Sequence, residues 1–425
     1  MHLSPDLRYV VQVAASIALF VGWFAGLRWF QRRAESMQAT PPPDRASLPR
    51  RLAAAAAAVL SAAGLLSVAT YAASPPTAQA VTASCHHIAG PFHSNRAAIF
   101  NSAGQRYVPY GINVTGLAHP LTASQIRSRA AMAGTVDADN AVIAAAVGLW
   151  CSNTVRLQIE QDYLVAVDGT VNRPFLAAIQ SEVAYAESLG LVVVLNDQTQ
   201  LTPAHNGQEF MPTRRSFAFW DSLTSHYKTD PRVVFDLYNE PAFVSTWWQW
   251  RNGGVRNGVA FYGMQQLADH VRHRNGARNL LWVEGPHVGG SLRDAWAYRI
   301  SHDGPLEYAE HRPAGPHTPA DWYGLFGYLA VHNLAPVVEG EWADYARTNA
   351  GWACWDDAPK SVPVWLRYLA DHRIGMIVTK MIPGQLIESA NMDDPTHIRS
   401  NWSCTTGLNE GAGNQIRNWF SLHNG

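Results

Sequence analysis

The chain has 425 residues, 47% of them hydrophobic and 15% charged, with a formal net charge of −1. That length can bury a large core, and a near-neutral balance without a basic block excludes nucleic acid as an expected partner. Sixteen tryptophans among so few charges suit either a large core or a surface that touches something flat and weakly polar.

The charge is unevenly placed. Residues 1–80 hold seven arginines against three acids, a balance of +4, which leaves 25 bases against 30 acids, or −5, in the remainder. Two apolar segments lie in this N-terminal region. The first, 10–27, is followed by Arg28, Arg32 and Arg33 and is just long enough to span a bilayer. The second, 52–73, follows Arg50 and Arg51, and runs on to Ala78-Gln79-Ala80, the three-part pattern of a secretory signal with cleavage expected after Ala80. Two readings stand: both segments span with the loop 28–51 inside, or translation starts near Met37 and 37–80 is a cleaved signal. Both place a body of 81–425 outside the cytoplasm, secreted or anchored, with membrane contact only through the N-terminal region.

All four cysteines, Cys85, Cys151, Cys354 and Cys404, lie in that body. An even count in an exported chain reads as two disulfides, and of the three pairings Cys85–Cys151 with Cys354–Cys404 is the most local. No Cys/His spacing suggests zinc, and the His86–His87 pair reads as exposed. No metal or cofactor is expected, and the body is expected to be monomeric.

From about residue 91 short apolar runs alternate with amphipathic stretches, the pattern of a parallel α/β fold. Strands are predicted at 107–114, 153–159, 191–196, 233–239, 279–284, 306–311, 336–341 and 375–379. Helical patterns cover 174–189, 216–227, 256–274, 320–332, 362–372 and 414–422. Eight such units with no linker between them predict one (β/α)₈ TIM barrel, whose active site lies at the carboxyl ends of the strands. Those ends are Asn113, Arg156 to Gln158, Asn196 and Asp197, Asn239 and Glu240, Glu284, His311, Glu339 to Glu341, and Thr379 and Lys380. This is a polar ring above aliphatic strands, with carboxylates closing the fourth and seventh.

The run Val233-Val234-Phe235-Asp236-Leu237-Tyr238-Asn239-Glu240-Pro241 ends the fourth strand, and Pro336-Val337-Val338-Glu339-Gly340-Glu341-Trp342 forms the seventh. In these runs, and in the stretch from Pro212 to Arg232, the chain resembles glycoside hydrolase family 5, the cellulase-like retaining glycosidases. The resemblance covers roughly 98–425 and implies Glu240 as acid/base, Asn239 as its neighbour that bonds a sugar 2-hydroxyl, and Glu341 as nucleophile. It further implies that Arg156 keeps Glu341 charged and that His311 stands near the site. Glu339 is the rival nucleophile, because two residues earlier on a strand shares a face. Asn113 contacts sugar or shapes a turn. Trp342, with Trp247, Trp248, Trp250, Trp352 and Trp355, is a candidate for stacking on sugar rings.

Two carboxyls fit the chemistry: one protonates the leaving oxygen, the other attacks the anomeric carbon, about 5–5.5 Å apart in retaining enzymes. The chain departs from the family pattern in three places. Pro313 replaces an aromatic two residues after His311, the run Asn196-Asp197-Gln198-Thr199-Gln200 lacks a histidine, and Val378-Thr379-Lys380-Met381 lacks a tryptophan; Tyr308 and Trp355 are candidate substitutes. The expected function is hydrolysis of a β-linked polysaccharide or oligosaccharide, of β-glucan or β-mannan type, by double displacement. The alternatives are a non-catalytic carbohydrate-binding barrel, a transglycosylase acting on cell-wall glycan, and a metal-dependent barrel hydrolase.

Overall fold

Eight aliphatic runs pair side by side, all in parallel, into a closed barrel. The computed structural model describes residues 85–119, 121–199, 211–242, 244–256, 258–313, 318–343, 358–379 and 413–424. The two export segments, the Ala80 site and the division at residue 80 lie outside the described residues, as do Cys354, Cys404, Trp352 and Trp355.

An antiparallel sheet of β1 (Phe92–Asn95), β2 (Ala98–Asn101) and β3 (Arg106–Tyr107) precedes the barrel. The barrel itself is built from β4 (Tyr110–Val114), β5 (Thr154–Glu160), β6 (Val192–Gln198) and β7 (Val233–Asp236). After a small antiparallel hairpin, β8 (Gly254–Arg256) and β9 (Val259–Phe261), it continues with β10 (Leu281–Glu284), β11 (Leu306–Pro313), β12 (Val337–Ala343) and β13 (Gly375–Val378). The closing pair is β13 with β4, with Ile377 opposite Gly111. The (β/α)₈ architecture expected from the alternation of apolar runs is thus the fold observed.

Each strand splits its side chains between two layers, because successive residues face opposite sides. Val192, Val194, Val234, Trp282, Ala309, Val338 and Ile377 fill the barrel interior. Their alternates, among them Val193, Phe235, Val283, Val337 and Met376, pack against the surrounding helices. The interior cluster also takes in Phe92, Ile99 and Tyr107, so the first sheet plugs the amino end of the barrel. The Tyr107 hydroxyl lies 2.7 Å from the Thr154 hydroxyl at the start of β5. Tyr107 therefore belongs to this plug and not to the first barrel strand.

The helices begin where polar side chains can cap them. Ser128 accepts from the Ala131 amide ahead of Arg129–Gly148, and Asn172 accepts from the Phe175 amide ahead of Arg173–Ser188. The helix Arg129–Gly148 is alanine-rich, so it carries little amphipathic signal, yet Met132, Val136, Val142, Ile143 and Ala146 bury its inner face. The stretch 256–274, read as one helix, begins instead with the second half of the β8–β9 hairpin. Gly258, in the turn between the two strands, takes a positive φ of 79°, which the hairpin needs and a helix cannot use. Helix resumes at Met264.

Cys85 and Cys151 form a disulfide across 66 residues. The same corner is closed by the C-terminal helix Gly413–Asn424. Asn424 donates to the Cys151 carbonyl at 2.7 Å and accepts from Asn153 at 3.1 Å, while its own carbonyl accepts from the His86 amide at 2.8 Å. Replacing both cysteines by serine should destabilise the body by about 2–4 kcal/mol. A lowered melting temperature, reproduced by reducing the unsubstituted protein, is the expected result; an unchanged one would contradict it.

At the barrel floor Glu307 is buried beside Trp282 and Arg106, and burial pushes its carboxyl from 4.5 up to about 8, against the opposing pull of those two neighbours. The folded chain then holds a proton that the unfolded chain has lost, so this contribution to stability is present below pH 4.5 and disappears as pH rises through 8. Glu307→Gln should remove that loss, gaining on the order of 5 kcal/mol relative to the parent at pH 9 and little at pH 4. Thermal melts of both proteins at the two pH values test this.

Candidate active site

Alternation along β5 turns Arg156 and Gln158 to the same side. Arg156 is fully buried, and all five of its N–H donors find acceptors on other strands or, for Asn239, just beyond one. Nε donates to Asp236 at 2.8 Å; one terminal nitrogen donates to Asn113 at 2.9 Å and Glu341 at 3.1 Å; the other to Asn239 at 2.7 Å and Glu284 at 3.1 Å. Gln158 adds a second donor to the same Glu341 oxygen at 2.7 Å. Asn113 passes the network on to Thr379 at 2.6 Å, and Asn196 donates to Asp236 at 3.0 Å. Burial alone would lower the affinity of Arg156 for its proton, but Asp236, Glu284 and Glu341 outweigh it and raise that affinity.

Glu240 follows β7. Its backbone takes the left-handed conformation with φ 53°, uncommon for a residue with a side chain, and its amide donates to Glu284 at 2.5 Å. Its carboxyl lies 3.4 Å from His311 Nδ1, while His311 Nε2 lies 3.1 Å from Glu284. Burial would depress the His311 imidazole, yet Glu284 and Glu240 hold it well above its ordinary value. Burial, and then the charge of Glu284, push Asp236 up to about 7 against the pull of Arg156.

The loop after β10 braces this corner. His287, Val288 and Gly289 are all left-handed, with φ of 64°, 63° and 70°. The Val288 amide bonds the Pro241 carbonyl at 3.0 Å, and the His311 amide bonds the Gly289 carbonyl at 3.1 Å. A Cβ on Gly289 would come within 2.9 Å of the His311 ring, so no larger residue fits without displacing it.

The network thus gathers Asn113, Arg156, Asn239, Glu240, His311 and Glu341. Two of its carboxyls, Glu240 and Glu341, are partly open, at 18% and 20% side-chain exposure, whereas Asp236 and Glu284 are closed off. Beside Asn113 a cavity of about 360 Å³ opens, lined by Thr115, His119, Gln125, Thr135 and Asp139.

Several expectations are corrected. Glu339 does not share a face with Glu341. The β11–β12 register pairs Glu310 with Glu339 but His311 with Glu341, so Gly340 is an extra residue that reverses the alternation. Glu339 lines up with Met376 in the layer outside the barrel, 1% exposed, and Glu341 turns to the mouth. The same bulge places Trp342 opposite Val378, where its indole is buried at 2% exposure in the outer core and not in a cleft. Trp250 is buried, its Nε1 donating to the Glu284 carbonyl at 2.9 Å, and Trp247 packs on it and on Tyr298. Of the stacking candidates among the described residues only Trp248 is exposed. Tyr308 is buried with its hydroxyl on the Ile300 amide, so it does not stand in for the missing aromatic. Sequence reasoning gave Glu284, Gln158 and Asp236 no role; the visible signal was a charged or amide side chain at or near a strand's end.

The model of the cellulase family, glycosyl hydrolase family 5, matches residues 123–383, more than half of the chain. An endoglucanase of Paenibacillus polymyxa is 29% identical over 158 residues, 31% of this chain and 38% of that protein. The chain therefore aligns with well under half the length of this relative. Among solved structures, a β-glucanase from Saccharophagus degradans superposes with a TM-score of 0.55 at 15% identity, covering 80% of this chain and 94% of that one. An endocellulase from Pyrococcus horikoshii, solved with cellotetraose, gives 0.54 at 15% identity over 77% and 98%. These two share the fold. By the family match across its barrel, the chain belongs to glycoside hydrolase family 5.

Proposed function

We propose that this family member is a retaining β-glycosidase acting on a β-linked glucan by double displacement, with Glu341 as nucleophile and Glu240 as acid/base. The observation that carries this reading is the pair of partly open carboxyls in an otherwise buried polar network, each held by different groups. Arg156 and Gln158 both donate to Glu341 Oε2, which stabilises the ionised form and leaves Oε1 to attack the anomeric carbon. Glu240 is the one carboxyl of the four that does not touch Arg156. Its carboxyl lies 3.4 Å from His311 Nδ1 instead, so one proton can be held between the two groups for the leaving oxygen.

In the first step the Glu240 proton passes to the leaving oxygen as Glu341 bonds to the anomeric carbon and the glycosidic bond breaks. In the second, Glu240 takes a proton from water, whose oxygen displaces Glu341 and restores the starting configuration. Asn239, held by Arg156 at 2.7 Å, is the residue this reading assigns to a sugar hydroxyl. The polar cavity beside Asn113 has the size and lining for a further sugar unit. A glucan substrate is supported by the likeness to the endoglucanase relative and the β-glucanase neighbour. An extracytoplasmic location, secreted or anchored by the apolar N-terminal segments, is supported by the Cys85–Cys151 disulfide, which suits an oxidising compartment.

The test is hydrolysis of β-glucan and β-mannan polymers and aryl β-glycosides, with the product anomer followed by NMR. The β-anomer should appear first. Glu240→Gln should cost about 10²–10⁴-fold in kcat. Glu341→Gly should cost about 10³-fold or more, with azide restoring turnover as an α-glycosyl azide. Full activity in either variant would sink the assignment, and binding without turnover would favour a carbohydrate-binding barrel. Arg156→Lys keeps one charge but loses the five-donor fork, so kcat should fall at least about 10²-fold. Near-parental activity in a folded Arg156→Lys protein would contradict the role given to Arg156.

A further inference from the structure

We propose that Glu284 is a positioning residue of this site: its carboxylate fixes the Nε2–H tautomer of His311, so that Nδ1 faces Glu240, and ties down the backbone that carries Glu240. The inference rests on the reading of Glu240 as acid/base. Glu284 ends β10 and is fully buried. Oε2 accepts the Glu240 amide at 2.5 Å. Oε1 lies 3.1 Å from an Arg156 terminal nitrogen and 3.1 Å from His311 Nε2. Two hydrogen-bond donors thus converge on one carboxylate, from β5 and from the chain after β7, with the His311 ring of β11 within ion-pair distance of it.

An ionised carboxylate only accepts hydrogen bonds. A lone pair on Nε2 facing it at 3.1 Å would repel, so Nε2 carries a proton whatever the charge of the ring. That leaves Nδ1, 3.4 Å from Glu240 Oε1, as the nitrogen whose proton is free to move. When Glu240 holds its proton, neutral His311 accepts from it at Nδ1. Giving that proton to the leaving oxygen leaves Glu240 ionised beside neutral His311, until the attacking water returns a proton to the pair in the second step. The charged groups that face Glu284 are Arg156 from β5, Asp236 from β7, Glu240 after it and His311 from β11, with Glu341 beyond Arg156. Burial opposes a charged His311, and Glu284 is the largest counterweight.

Glu284 also secures geometry. The left-handed backbone at Glu240 is costly without a constraint, and its amide has an ionised, buried acceptor. The Glu284 main chain is in turn fixed, its carbonyl accepting from Trp250 Nε1 at 2.9 Å.

The experiment uses the full chain labelled with ¹⁵N in histidine, with His311 assigned from the His311→Asn spectrum. In the parent protein His311 should keep Nε2–H throughout and titrate above the ordinary 6.5. In Glu284→Gln its titration should fall by roughly one unit or more, and kcat should fall roughly 10–100-fold while KM moves less than about 3-fold. Glu284→Asp, which keeps the charge, should restore the titration more than the rate. An Nδ1–H tautomer in the parent, or a parental titration at or below 6.5, would overturn the proposal even where the Gln variant fails to fold. So would a folded Glu284→Gln protein with unchanged titration and rate. A parent with the expected titration but no turnover on any glycan would overturn the catalytic role and the glycosidase reading together, leaving the tautomer lock standing.

Discussion

One buried guanidinium organises the site. Arg156 has five N–H donors in a rigid planar fork, and five acceptors from four different segments of chain take one each. A charge with no contact to solvent is expensive unless it is paired and hydrogen-bonded throughout. Saturation of the fork is therefore a condition for the barrel to close with this residue inside it. The same condition fixes where Asp236, Asn239, Glu284, Glu341 and Asn113 must sit. Stability and site geometry are one constraint here, because moving any acceptor leaves a buried donor unmatched.

From that hub the site is graded by burial. Asp236 and Glu284 are closed off, and they compensate charge and hold partners. Glu240 and Glu341 lie further out and retain access to the mouth. The left-handed run His287, Val288 and Gly289 lies beside Glu240 and against His311, where the hydrogen bonds of Pro241 and Gly289 over-determine it. Three of the seven non-glycine residues with left-handed φ among the described residues, Glu240, His287 and Val288, thus lie in this corner of the network.

Much of this was legible before any coordinates. Runs such as Leu191-Val192-Val193-Val194-Leu195 announce strands buried on both faces, and a barrel mouth is where their polar ends must collect. The identities of Arg156, Glu240, His311 and Glu341 follow from that rule together with family resemblance. What stayed hidden depends on register and on contact between distant strands. A strict period of two puts Glu339 and Glu341 on one face and leaves Trp342 free to reach the mouth. The single extra residue Gly340 reverses both assignments. Glycine inside a strand is a known sign of a bulge, but its effect on parity appears only when the neighbouring strand supplies the register. Glu284 looked like one more polar strand end, because its importance lies in meeting Arg156 and His311, 128 residues before it and 27 after.

The departures from the family pattern acquire a physical meaning in this light. At the end of the last barrel strand Thr379 accepts from Asn113 across the first and last barrel strands, and its amide bonds the Trp342 carbonyl at 2.7 Å. A hydroxyl in that place extends the buried polar network by one member and offers no flat surface for a sugar to rest on. The bulge at Gly340 has the complementary effect, since it turns Glu341 toward Arg156 and Gln158 while sending the Trp342 ring into the outer core. Among the described residues, then, the ionic part of the site is fully built while its aromatic part is thin.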